Sequence, residues 1–199
     1  GSITSPNCGI YTNSAANNSI NVVGGGSILT NTVATVGGTS GGGTITATQG
    51  ITTGAPAITD PYASVVMPTP SACTATDYTL NNIAGTISPG TYCGGITLKS
   101  SAILTMNPGV YILVQSGNGP SKAGNFIATS QSVITANGVT IVMTAASGST
   151  NFGSIQFPSQ VTTNMSAPTT GATAGILFFG DRNSSGLTEK ITGGTTQML

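Results

Sequence analysis

The sequence predicts an all-β chain: a right-handed parallel β-helix, a solenoid with roughly 19–20 residues per coil. Two turn-and-strand units, Ser88-Pro-Gly-Thr-Tyr92 and Asn107-Pro-Gly-Val-Tyr111, follow one another, and the step from Pro89 to Pro108 sets that period. Self-similarity at such a period marks one supersecondary unit stacked on its own copies. No segment carries apolar residues at helical spacing, whereas short β-prone runs alternate with Gly-rich corners. The composition agrees, with 34 Thr and 29 Gly. Thr suits an exposed strand face because it is β-branched and carries a hydroxyl.

In chain order, strands are expected at Asn18 to Val23, Ser27 to Val36 and Thr44 to Thr48, each ended by glycines. Residues 54–73 break the pattern, because Pro56, Pro61, Pro68 and Pro70 cannot all serve central strands. This is an extended Pro-rich connector, apolar enough at Tyr62, Val65, Val66 and Met67 to pack on the solenoid. Further strands are expected at Ile83 to Ile87, Gly95 to Lys99, Ala102 to Met106, Val110 to Val114 and Gln131 to Thr135. The last are Val139 to Thr144, Ser154 to Phe157, Val161 to Met165 and Ala174 to Phe179. The runs after Gly138 and Gly175 are nearly continuous in apolar residues, as strands buried on both faces are. Residues 1–199 read as one β-helix domain, a fragment of a longer chain: Gly1-Ser2 reads as a vector-derived start, and nothing punctuates the end at Leu199.

Charge is the anomaly. Charged residues make up 4% of the chain: Asp60, Asp77, Lys99, Lys122, Asp181, Arg182, Glu189 and Lys190. Ordinary soluble domains carry about 25%. Lys and Arg total four without a cluster, which speaks against nucleic acid, where several phosphates must be contacted. No apolar run approaches the ~20 residues of a membrane span.

Of the three cysteines, Cys73 and Cys93 stand about one coil apart in sequence. Residues one coil apart sit on neighbouring strands about 5 Å apart, within the Cα range of a disulfide. Cys8 is left over, with a partner expected upstream. The alternative is three buried free thiols in a cytosolic protein. The uncharged Thr/Asn/Gly surface favours the disulfide and an oxidising, extracytoplasmic setting.

Parallel solenoids include polysaccharide-active enzymes, but the chemistry here is sparse. A glycosidase needs a carboxylate pair, and Asp60, Asp77, Asp181 and Glu189 fall on no neighbouring positions by spacing. With no His, a Ser-His-Asp arrangement is excluded and no usual metal set is visible. No catalytic, cofactor-binding or metal residue is therefore assigned. Asp181-Arg182 follows an apolar strand, and an Arg there asks for a partner; Asp60 is the candidate for a structural ion pair with Arg182. The other reading of Asp181-Arg182 is a ligand site at the end of that strand.

Thr ranks on a solenoid bind ice or crystalline polysaccharide when Thr-x-Thr recurs on each coil. Thr30-Asn-Thr32 and Thr44-Ile-Thr-Ala-Thr48 fit, while Thr97, Thr105 and Thr135 come singly. Ordinary solvent-facing strand positions explain them as well. Asn17-Asn-Ser19 and Asn183-Ser-Ser185 match the glycosylation sequon, which matters only in a eukaryotic secretory pathway.

From Asp60 to Gly186 the chain resembles the extracytoplasmic region of TadG-like proteins of the bacterial tight-adherence (Flp-type) pilus system. The resemblance rests on Asp60-Pro-Tyr-Ala63, Cys73 with Ser88-Pro-Gly-Thr-Tyr-Cys-Gly-Gly-Ile96, Asn107-Pro-Gly-Val-Tyr-Ile112 and Gly138-Val-Thr-Ile141. Ala167-Pro-Thr-Thr-Gly171, Ala174-Gly-Ile-Leu-Phe-Phe179 and Asp181-Arg182 follow in family order, and Cys8-Gly-Ile-Tyr11 precedes them. The remainder of the N-terminal quarter departs from the pattern. The resemblance implies an envelope protein anchored by an N-terminal helix outside this sequence, or a secreted one. It implies a structural or adhesive role at a bacterial surface pilus and no catalytic residues. The partners expected are other pilus or envelope proteins, or a surface glycan, with self-association through open strand edges. The alternatives are a Thr-rich solenoid binding ice or glycan and, further off, a polysaccharide-active enzyme.

Overall fold

The computed structural model describes residues 2–158, 160–184, 190–191 and 196–198. Glu189, and Ser185 of the second sequon, lie outside the described residues. The fold is all-β, and every pairing between strands is parallel. One 3-10 turn, Pro120–Lys122, is its sole helical element among the described residues. The chain divides into two compact units, Gly1–Ser64 and Val65–Leu199, with the boundary inside the Pro-rich connector.

Unit one holds β1 (Ser2–Thr12), β2 (Ile20–Asn21), β3 (Ser27–Thr35), β4 (Thr39–Ser40), β5 (Thr44–Ala47) and β6 (Ile51–Thr53). β3 is central: β1 lies on one side, β5 and β6 on the other. Val22, Ile28 and Val33 are buried with Thr30 and Thr35. The Thr30 hydroxyl is satisfied by donating to the Cys8 carbonyl, so this threonine belongs to the interior and not to a surface rank. Cys8 itself is exposed and unpaired, where β1 slips register between Ser5 and Gly9. β1 is a strand the sequence did not announce.

Unit two begins with β7 (Cys73–Asn81), β8 (Ala84–Ile87), β9 (Gly90–Lys99), β10 (Ile103–Met106) and β11 (Gly109–Val114). Next come β12 (Phe126–Ala128), β13 (Val133–Ala136), β14 (Val139–Met143), β15 (Ile155–Phe157) and β16 (Thr162–Met165). It closes with β17 (Phe178–Gly180), β18 (Lys190–Ile191) and β19 (Thr196–Met198). The strands form three parallel ladders. β8, β10, β13, β16 and β19 make the first. The first half of β9 continues into β11, β14 and β17, and its second half into β12, β15 and β18. β7 pairs with both halves from the other edge.

The coil length expected from the Pro-Gly pair holds only at the start. Ile103 pairs with Ala84 on the coil before it and with Val133 on the coil after it, and Val133 pairs in turn with Thr162. The sequence step from Ala84 to Ile103 has the expected length. The steps from Ile103 to Val133 and from Val133 to Thr162 are half as long again. The cause is one corner. In the first coil β9 passes from the second ladder to the third across Gly94-Gly95 alone. In the next two coils the same passage takes residues 115–125 and 144–154. The Pro-Gly spacing thus reports a single step between neighbouring strands, not the step of the later ones.

Between the ladders lies an apolar interior that includes Leu80, Ile96, Leu98, Leu104, Leu113, Phe126, Ile134, Ile141, Phe157 and Met165. Phe126 and Phe157, on adjacent coils, stack edge to face at 5.0 Å. β14 is buried at every residue, as its continuous apolar run requires. Its outer face carries a second cluster of Ile112, Val142, Ile176 and Phe179, against which Val65 and Met67 of the connector pack. Val66, between them, points to solvent at 83% exposure. The strand expected at Ala174 to Phe179 is shorter and later. Residues 171–177 turn instead, with Ala174 N–H donating to Gly171 carbonyl and Ile176 N–H to Thr173 carbonyl. Burial of Ile176 on the outer cluster, not strand pairing, accounts for the apolar character of that segment.

Candidate functional site

The first ladder turns one face inward and one face to solvent. Strand alternation puts Leu104, Met106, Ile134, Ala136, Thr163 and Met165 inside. The outward positions form two columns across the strands. One runs Ala84, Ile103, Val133, Thr162; the other runs Thr86, Thr105, Thr135, Asn164, each residue in register with the next. Ile103 is 47% exposed, Ala84, Thr86, Thr105, Thr162 and Asn164 are exposed, and Val133 and Thr135 are half-buried. β8, β10, β13 and β16 carry no charged residue. Among the described residues, the side chains of Thr86, Thr105, Thr135, Thr162 and Asn164 have no hydrogen-bond partner in the protein. The face is therefore flat-patterned, uncharged and lined by unengaged hydroxyls beside an aliphatic column.

In sequence these threonines come singly. Thr105 and Thr135 become neighbours because the second coil is half as long again as the first. Thr97 does not join them: it lies on β9, in register with Thr79 and Ile127. In unit one, Thr44 and Thr46 face Ser27 and Leu29 across the ladder, so the Thr-x-Thr motif is not repeated on the neighbouring strand.

Cys73 and Cys93 form a disulfide with Cα atoms 5.7 Å apart. It joins β7 to β9, two adjacent strands of one sheet. Cys73 stands opposite Thr91, and Cys93 opposite Thr76; the register shifts by an extra residue on β7 after Cys73 and by one on β9, at Gly94-Gly95, opposite Asp77. Ser71 N–H donates to the Thr91 hydroxyl at 3.0 Å, and Thr91 N–H to the Thr74 hydroxyl at 3.2 Å. These bonds and the disulfide hold the start of β7 on the sheet.

At that second shift Asp77, the one β7 residue facing Gly94-Gly95, lies in the left-handed region at φ 51°. Its carboxylate accepts from the Ser116 hydroxyl at 2.9 Å and pairs with the Lys122 ammonium. Lys122 first, and then Ser116, hold the Asp77 carboxyl below its ordinary range. Gly94-Gly95 makes the cluster possible. A Cβ on Gly94 would lie 1.9 Å from Asp77 Oδ1, and one on Gly95 would lie 2.0 Å from the Asn125 carbonyl oxygen. Both glycines have positive φ, at 80° and 84°, so a side chain is excluded by backbone as well as by space.

The two Pro-Gly units each make the same kind of bond. The Tyr92 hydroxyl donates to the Ser88 carbonyl at 2.8 Å and the Tyr111 hydroxyl to the Asn107 carbonyl at 2.7 Å. Each tyrosine closes its own turn. Tyr78, Tyr92 and Tyr111 form a column with centroids 5.9 and 5.8 Å apart. Burial raises the phenol pKa of all three.

Asp60 lies in unit one, where its carboxylate accepts from Tyr62 N–H at 2.8 Å. Arg182 lies in unit two, 5.1 Å over the Phe179 ring, and its guanidinium donates to the Val65 carbonyl at 3.4 Å. Its neighbour Asp181 accepts from the Thr144 hydroxyl at 2.7 Å and from the Asn183 N–H and side-chain amide at 2.9 and 3.1 Å. Burial pushes the Asp181 pKa up, but these bonds together outweigh it and leave the pKa lowered. Among the described residues, no group of His, Cys, Asp and Glu could hold a metal. Nor is any helix there long and apolar enough to cross a membrane. Comparison with protein families, with characterised proteins and with solved structures found no match.

Proposed function

We propose that the chain is a right-handed parallel β-helix of a bacterial surface pilus-assembly protein of the tight-adherence type, acting as a non-catalytic structural or adhesive module outside the cytoplasm. The observation that carries the adhesive part is the uncharged outward face of β8, β10, β13 and β16, whose hydroxyls have no hydrogen-bond partner among the described residues. Side chains left in ranks on a rigid sheet are a surface for contact, which is how solenoids generally work. The disulfide supports an oxidising compartment. The pilus assignment rests on the motif resemblance between Asp60 and Gly186. Removal of this protein from the source cells is expected to abolish their attachment to solid surfaces while growth continues. Unchanged attachment and unchanged fibres would refute the reading.

A further inference from the structure

We infer that the outward face of the first ladder binds an extended, neutral polysaccharide chain lying across the strands, about one sugar per strand. This rests on the adhesive reading above and names its partner.

Four features lead there. The strands that build the face carry no charge, so nothing on it attracts a charged polymer and an acidic or basic partner gains no electrostatic term. The Thr86, Thr105 and Thr135 hydroxyls are in one register and have no partner among the described residues, so each has both donor and acceptor capacity for an incoming hydroxyl. The neighbouring column is aliphatic at Ala84, Ile103 and Val133. A pyranose ring presents the same two chemistries, a C–H face and a hydroxyl rim. Finally, neighbouring strands lie about 4.8 Å apart, close to the length of one sugar in an extended chain. A glycan running perpendicular to the strands thus meets the same pair of columns at each residue.

Each contact is weak, because sugar hydroxyls only replace water on the threonines. Affinity then comes from repetition along the ladder. Ice is the other ordered partner for a Thr rank. A crystal repeats in two directions and needs one group at every node, whereas one column here runs from Ala84 to Ile103 to Val133 to Thr162 and the other passes from threonines to Asn164 and Gln197. A hydrated chain tolerates that variation.

The test is co-sedimentation of the full chain with insoluble cellulose, chitin and β-1,3-glucan. The wild type is expected to sediment with at least one of them, and a hexasaccharide of that polymer to compete at least tenfold better than its disaccharide. The double variant Thr105→Glu/Thr135→Glu is expected to lose binding at least tenfold. Thr105→Val/Thr135→Val, which keeps strand propensity and removes only the hydroxyls, is expected to lose binding in the same direction. Thr79→Glu, on exposed β7 away from the face, is expected to bind as wild type. No sedimentation with any of the three polymers overturns the inference, as does equal sedimentation of wild type and both double variants. Thermal hysteresis of the wild type that both double variants abolish assigns the rank to ice and overturns it too. Immunogold location on fibres is read independently of binding. Labelled fibres without glycan binding remove this inference alone, and glycan binding without labelled fibres removes the pilus assignment alone.

Discussion

Thr105 stands in register with Thr135, which lies one long coil further down the chain, on the next strand of the ladder. That relationship turns scattered threonines into a rank. It exists because residues 115–125 lengthen the second coil before the chain returns to the first ladder. The same coil carries Lys122, which reaches back to Asp77 on β7. Coil length therefore sets both the candidate surface and the latch on the edge strand.

The disulfide predicts a labelling pattern. Cys8 is exposed and unpaired, so it should react with a maleimide in the native protein. Cys73 and Cys93 should react only after reduction. Cys93→Ala should lower stability by about 2–4 kcal/mol, as loss of a cross-link closing a loop of this size does, measured by urea denaturation.

The Asp77 cluster predicts an acid limb. The folded Asp77 pKa is lowered by Lys122 and Ser116. Its stabilisation is thus fully present above the unfolded value of about 3.9 and is lost as pH falls through the lower folded value. A melting-temperature profile should drop on acidification below about pH 4, and Asp77→Asn should flatten that drop. The pair is exposed, so salt should weaken it as acid does.

The tyrosine column predicts an alkaline limb. Tyr92 and Tyr111 are buried and their phenol pKa values are raised. The folded state therefore favours the neutral phenol. Stability should be constant up to the unfolded value of about 10 and then fall as pH rises toward the folded values. Tyr111→Phe should reduce that fall, while costing about 1 kcal/mol at neutral pH from the lost bond to the Asn107 carbonyl.

Gly95 and Gly94 should differ in tolerance. At Gly95 an added Cβ meets the backbone carbonyl of Asn125, and at Gly94 it meets the side chains of Asp77 and Ser116. Side chains can move, and a paired backbone cannot. Gly95→Ala should be the more destabilising of the two, and Asp77→Ala should partly rescue Gly94→Ala but not Gly95→Ala in thermal melts.

Thr163 offers a gain. Its hydroxyl is buried and has no hydrogen-bond partner among the described residues. Thr163→Val removes that group at nearly constant shape and should stabilise the fold by about 1 kcal/mol, read as a raised melting temperature.

Much of the ladder was legible from the sequence. The strands expected near Ser27, Thr44, Ile83, Ala102, Val110, Val139, Ser154 and Val161 match β3, β5, β8, β10, β11, β14, β15 and β16 closely at both ends, because each alternates or runs apolar between turn residues. β7 was not legible: Cys-Thr-Ala-Thr-Asp-Tyr-Thr-Leu-Asn is polar because the strand is a bulged sheet edge with most residues exposed. β12 is too short, between its turns, to show a period. The disulfide was legible, since its spacing matches the first coil, the one coil of the expected length. The Thr rank was not, because a register built on the longer coils is invisible to a ruler cut from the Pro-Gly pair. Asp77 and Lys122 carried no signal beyond the rarity of charge, and Ser116 none at all.

Immunogold electron microscopy of the source cells, with an antibody against this chain, tests the central claim most directly. Gold on pilus fibres or at their tips is the predicted result. Gold confined to the cytoplasm, or over the envelope away from every fibre, would contradict it.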